Sequence, residues 1–284
     1  METVLIFGLG YTASHLAERL ERAGSRIVST GHRGTLGFDD ETAVNEAIAI
    51  ADAILSSVPP GEEGDPVLLR YGAAIAAAKP RWIGYLSSTG VYGDTGGAWV
   101  DESASIGRGR RPIRAEADAA WLALHGQMRV FRLPGIYGPG RSALDRVREG
   151  RAHRIDLPDQ VFSRIHVEDI VGAILASFGG PPGAYNIADD LPCGQNAVIE
   201  EACRLLGRGP PPLRGLEEAG LSPAARAFYA ENRRVANGKA KRLLGWRPLY
   251  SDYRSGLARC FALSATNSPA SDSKPPTIAW GVQR

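Results

Sequence analysis

Two periods alternate along the chain. Residues 4–7 (VLIF) form a short, wholly apolar run that stops at glycines, as in a parallel strand buried on both faces. Residues 14–24 (SHLAERLERAG) then set Leu16 and Leu20 one helical turn apart, with Gly24 as a C-terminal stop. The pattern continues with strand 26–30 (RIVST), a short third strand within 35–40 (TLGFDD), and a helix over 41–50. A strand within 51–60 breaks at Pro59-Pro60, a helix spans 66–78, and a strand ends in 81–89 (RWIGYLSST). Such alternation predicts an α/β fold built on a doubly wound parallel sheet.

The second half is less regular. After VFRLPGIYGPG come a helix in HVEDIVGAILASF, a strand in AYNIAD and a helix in NAVIEEACRLLG, with a proline-rich loop at 207–215. The expected organisation is a dinucleotide-binding domain over 1–134, a smaller C-terminal substrate-side region over 135–261, and a Ser/Pro-rich tail over 262–284. The 162–188 stretch is expected to return to the first domain's sheet.

Composition narrows the classes. With 33 basic and 31 acidic residues the chain has no electrostatic footprint for nucleic acid. No apolar run reaches the length of a membrane span, and the N-terminus lacks a basic, apolar leader. Three cysteines without a CxxC pair read as free thiols rather than a disulfide or zinc framework, so the cytoplasm is the expected compartment and no metal is expected.

The glycine-rich GLGYTA (8–13) fits G-x-G-x-x-A directly after a buried strand and at the start of an amphipathic helix. Gly8 permits the tight turn, Gly10 lets the backbone approach a pyrophosphate, and Ala13 allows close helix–strand packing. Tyr11 and Thr12 complete the helix start, whose free N–H groups suit phosphates. The end of the second strand decides which dinucleotide. An NAD site usually carries Asp or Glu there; this chain has Thr30, His32 and Arg33 instead. A guanidinium suits a 2′-phosphate, so NADP is favoured, with NAD open; the plain alternative is that Arg33 is a solvated loop residue. Asp39 is a candidate for the adenine amine or for the next helix cap.

With these pieces placed, the chain resembles the extended short-chain dehydrogenase/reductase family, in its epimerase/dehydratase branch, over about residues 3–261. SSTGVYG (87–93), RLPGIYGPGR (132–141), RIHVEDIVGAI (164–174), YNIADD (185–190) and AKRLLGWRP (240–248) carry the likeness in order. Gly-x-Gly-Tyr marks an atypical subgroup. The resemblance implies a Rossmann-like fold and a substrate oxygen polarised by Ser88, with Thr89 assisting. It also places Ser57 and Pro59 on the nicotinamide side.

The family's chemistry also uses a Tyr-x-x-x-Lys pair, because a tyrosine that titrates near ~10 needs a cationic neighbour to work at neutral pH. No such pair occurs anywhere in the chain, and the window 106–125 contains neither residue. It contains Arg108, Arg110, Arg111 and Arg114 instead, with Arg110 and Arg114 at the Tyr-to-Lys spacing. Arginine stays protonated, so these can hold an anion or an oxyanion but cannot deliver a proton; a solvated basic loop is the plain alternative. Tyr92 is the candidate replacement acid, against a packing and turn role. The expected function is an NAD(P)-binding oxidoreductase or epimerase-like protein for a small polar, anionic metabolite, without nucleic acid or membrane partners. The alternative is a non-catalytic NADP-binding sensor that has lost the Tyr–Lys pair. A homodimer is open and is not read from the sequence.

Overall fold

A computed structural model describes residues 2–266. Six strands, β1 (Thr3–Phe7), β2 (Arg26–Ser29), β3 (Ala53–Ser56), β4 (Trp82–Ser88), β5 (Met128–Leu133) and β6 (Gly183–Asn186), form one parallel sheet in the order β6-β5-β4-β3-β1-β2. The chain runs outward from β1 to β2 and then returns to the other side of β1 for β3. That reversal opens a crevice at the carboxyl ends of β1 and β3, where open α/β sheets take their ligands.

Strand alternation divides the core into two layers. Val4, Ile6, Leu55 and Trp82 pack with Leu16 and Leu20 of α1 (Tyr11–Arg22) and with a later helix, Val167–Ala176. Leu5, Phe7, Ile54 and Ile83 face α2 (Glu41–Ile50), α3 (Pro66–Ala77) and α4 (Pro112–Leu124), which contribute Val44, Tyr71 and Trp121. A second cluster joins α5 (Ala143–Arg148), α7 (Gln195–Leu205) and α10 (Tyr253–Thr266) through Leu144, Ile199 and Leu257. The helix between them, Val167–Ala176, is α6; α8 (Pro223–Phe228) and α9 (Gly238–Leu243) complete the set. α6 packs on α1 and β6 pairs with β5, whereas Arg164–His166 pair with Gly135–Tyr137 in a separate two-stranded ladder.

Two local expectations differ. Residues 35–40 form no strand: Leu36 N and the Thr35 side chain bond back to Ser29, hooking the segment over the end of β2. Residues 262–266, expected in the tail, continue α10, and the rest of that tail lies outside the described residues. In the first turn of α6 the Asp169 carboxylate accepts from Leu249 N and Tyr250 N. The outer edge of β6 is covered by side chains. Asn186 N donates to Glu102, and Lys239 Nζ donates to the Ala184 carbonyl.

Candidate functional site

Two cavities open at the carboxyl ends of the strands. The first, of about 730 Å³, is lined by Gly8, Leu9, Gly10, Thr30, Gly31, His32, Arg33, Phe38, Ser57, Val58, Pro59 and Pro66. Seven of the residues singled out in the sequence for the cofactor therefore lie together. Gly8 has φ +82°, and a Cβ there would stand 2.9 Å from Val58 Cγ2, so the turn requires glycine twice over. Gly10 has ordinary extended angles (φ −84°, ψ −169°), and a Cβ there meets nothing within 4 Å. Its missing side chain leaves room rather than relieving strain.

The rest of the turn is locked from below. Thr30 is buried; its Oγ1 accepts from Gly8 N and its carbonyl from Leu9 N. Ser57 Oγ donates to the Gly8 carbonyl. Gly10 caps α1 without any side-chain hydrogen bond, and no acidic residue occupies the first turn. The first N–H groups of a 12-residue helix thus face the groove uncapped, which suits an anionic group. At the end of β2, where a ribose-binding carboxylate would stand, Arg33 lies exposed and reaches Ser14 Oγ at 3.0 Å.

Four of the expected cofactor residues do not line the groove with their side chains; one, Ala13, is buried in the core with Val4 and Ile6. Thr12 is buried, so only its backbone is available. Tyr11 turns away: its hydroxyl donates to the Pro139 carbonyl at 3.0 Å, and Arg141 lies over its ring. Burial pushes the Tyr11 phenol up to about 12. Asp39 is exposed and pairs with Arg70, while the next residue, Asp40, caps α2 by accepting from Ala43 N.

The second cavity, of about 540 Å³, holds Ser88 and Thr89 together with Arg110, Arg111, Arg114 and Arg233, and one carboxylate, Glu231. Ser88 ends β4, and its Oγ accepts from Gly90 N at 3.1 Å, leaving its own proton uncommitted among the described residues. Arg114 is half-buried in the first turn of α4 and makes no ion pair among the described residues; burial is the main cause that lowers its pKa. Arg110 precedes that helix, which begins at Pro112, so the Tyr-to-Lys spacing of the two arginines is not a helical one. They reach the same cavity by different routes. Arg110 is held by Glu231, through its backbone N–H at 2.9 Å and its Nε at 3.3 Å. Burial alone would raise the Glu231 pKa, but hydrogen bonds from Arg233 and the Arg110 backbone outweigh it and keep the carboxyl below its usual range.

Tyr92 is not brought to this cavity. Its hydroxyl lies inside the fold, donating to Asn186 Oδ1 at 2.7 Å and accepting from Arg132 Nη1 at 3.0 Å. Arg132 in turn pairs with the buried Asp118, which also accepts from Ser87 Oγ at 2.6 Å. Burial raises the Tyr92 phenol further, away from acid–base use near neutrality. Glu231 and Arg233 escaped the sequence reading. They lie more than a hundred residues from Ser88, and only tertiary folding joins them.

A parallel sheet with a glycine turn at its switch point and a serine-bearing strand end beside it defines a Rossmann-type fold. The comparisons place it more narrowly. No family model matches the chain. Protein YeeZ of Escherichia coli K12 is 30% identical over 78% of this chain and 89% of that one. A functionally unknown conserved protein from Silicibacter pomeroyi DSS is 41% identical in a solved structure, with TM-score 0.83, covering 92% of this chain and 99% of that one. The human epimerase family protein SDR39U1, solved with NADPH, shares the fold at TM-score 0.74 and 17% identity, over 92% and 99% of the two chains. The chain belongs to the extended short-chain dehydrogenase/reductase family, in its NAD(P)-dependent epimerase/dehydratase branch. No described helix is long and apolar enough to cross a membrane.

Proposed function

We propose that the chain is an NADPH-binding oxidoreductase or epimerase-like enzyme whose substrate is a small anionic metabolite. The observation that carries this reading is the meeting of Ser88 with four guanidinium groups and a single carboxylate in one cavity at the carboxyl ends of the strands. Such a balance attracts and orients a negative group.

The glycine turn and the uncapped start of α1 would hold the pyrophosphate, Arg33 the 2′-phosphate, and Ser57 and Pro59 the nicotinamide side. When bound, the nicotinamide supplies or accepts a hydride. The chain's own part is to bind and orient. Arg114, half-buried and without a carboxylate partner among the described residues, clamps the anionic group, and Ser88 offers its proton to the reacting oxygen. Among the described residues the cavity wall contains no tyrosine, lysine or histidine, so Glu231 and solvent are left to carry any net proton transfer.

That same wall favours a second reading, a sensor that binds NADPH and an anion without turnover. A continuous NADPH-oxidation assay over small oxo acids and their neutral esters separates the two, run beside calorimetric NADPH binding. The enzyme reading expects turnover confined to the anionic members, with a raised KM in Arg114→Ala. NADPH binding with no turnover of any member identifies the sensor. Absence of NAD(P) binding overturns both.

A further inference from the structure

We propose that Arg233 is the second donor of an oxyanion site built on Ser88, receiving the substrate oxygen on which negative charge develops. The proposal rests on the cavity being the substrate site described above.

The geometry around Gly90 carries it. A methyl placed on Gly90 would stand 3.2 Å from Ser88 Oγ and 4.0 Å from Arg233 Nη2. The serine hydroxyl and one guanidinium nitrogen therefore flank the same small volume, and glycine keeps it open. Arg233 is fixed there from behind. Its Nη1 donates to the Gly93 carbonyl at 2.8 Å and to Glu231 Oε2 at 2.8 Å. Glu231 is itself buried and tied to the Arg110 backbone. Nη2 has no partner among the described residues and lines the cavity.

A donor anchored through one nitrogen and free at the other needs little reorganisation when charge appears, the condition under which electrostatic stabilisation is strongest. Ser88 complements it, because its oxygen already accepts from Gly90 N and its hydrogen is left for the ligand. The pair supplies two converging donors where the family's tyrosine is absent. Arg233 does not replace that tyrosine as an acid, since a guanidinium keeps its proton. It replaces only the hydrogen bond to the oxygen.

Oxalate, a compact dianion of planar carboxylates, is the probe. The NADPH-loaded full chain is titrated with it by calorimetry as wild type, Arg233→Ala, Ser88→Ala and the double variant. The expected loss in Arg233→Ala is about ten- to a hundredfold, the scale of a hydrogen bond to a charged group. NADPH affinity is expected to stay within error, and the Ser88 and Arg233 losses to be non-additive, because both donors serve one oxygen. Gly90→Ala is the companion variant, should Arg233→Ala fail to fold. Its methyl intrudes on the same volume and is expected to weaken oxalate without touching Arg233's anchors. Wild-type oxalate affinity in either folded variant, or strictly additive losses, overturns the role of Arg233. A wild-type protein that binds NADPH but no oxalate overturns the anionic-substrate reading together with it.

Discussion

Ser57, one residue past β3, donates its hydroxyl to the carbonyl of Gly8, one residue past β1. The two strand ends on either side of the sheet's switch point are thereby stitched together under the glycine turn, and the turn behaves as one unit with the β3 loop.

From this follows a contrast between two glycines two positions apart in the chain. Gly10→Val is expected to fold with an unchanged thermal midpoint, because its Cβ meets nothing and its angles are ordinary. It should lose NADPH binding, since the side chain occupies the groove. Gly8→Val is expected to lower the midpoint as well, by forcing a side chain into φ +82° against Val58. Thermal melts and calorimetry of the two variants check this; a destabilised Gly10→Val would show the turn is tighter than described.

Cofactor preference is expected to reside in Arg33. It stands where a carboxylate would read a ribose hydroxyl, and its exposure leaves the guanidinium accessible. Wild type should bind NADPH more tightly than NADH, and Arg33→Ala should narrow the gap by roughly 1.5–3 kcal/mol. Equal affinities in wild type would refute the assignment.

Tyr92→Phe is expected to cost stability rather than chemistry. The lost hydroxyl leaves Arg132 Nη1 and Asn186 Oδ1 each short of a partner, at about 1–3 kcal/mol. Asp118→Ala strands the buried Arg132 guanidinium and should cost more, about 3–5 kcal/mol. Denaturant unfolding measures both. A stable Tyr92→Phe protein whose turnover has collapsed would return Tyr92 to the catalytic role.

A pH dependence should arise at Asp189. The residue is buried, its Oδ2 has no partner among the described residues, and burial is the main cause that pushes its carboxyl up to about 8, against a weak bond from Leu191 N. Between about 4, where an unfolded aspartate titrates, and about 8, the folded chain holds a proton that the unfolded chain lacks. Its contribution to stability is therefore full below about pH 4 and is lost as pH rises through about 8, by up to about 1.4 kcal/mol per unit. Asp189→Asn mimics the protonated form and should flatten that slope in urea titrations from pH 5 to 8. Identical slopes would mean the carboxyl is ionised in the folded chain.

Features written in contiguous residues were legible in advance. The glycine turn, the strand that ends at Ser88 and the absent Tyr–Lys pair are each local, and periodicity alone placed the alternating helices. What escaped depends on where side chains point or on distant segments. The sequence shows Tyr92 four positions after the serine, but the helical turn Thr89–Tyr92 carries it into the fold, where its hydroxyl meets Asn186 and Arg132. Asp39 and Asp40 are indistinguishable as letters; only the helix phase makes Asp40 the cap. Glu231 meets the Arg110 backbone across 121 positions, a separation that no spacing rule reaches.

The covering of β6 has a bearing on synthesis. Glu102 arrives early in the chain and Lys239 late, so one half of the edge is sealed long before the other. Without the Lys239 ammonium the Ala184 carbonyl would be an open acceptor at the edge of the sheet. Lys239, one of four lysines, thus occupies a carbonyl that the edge of the sheet would otherwise expose to another strand.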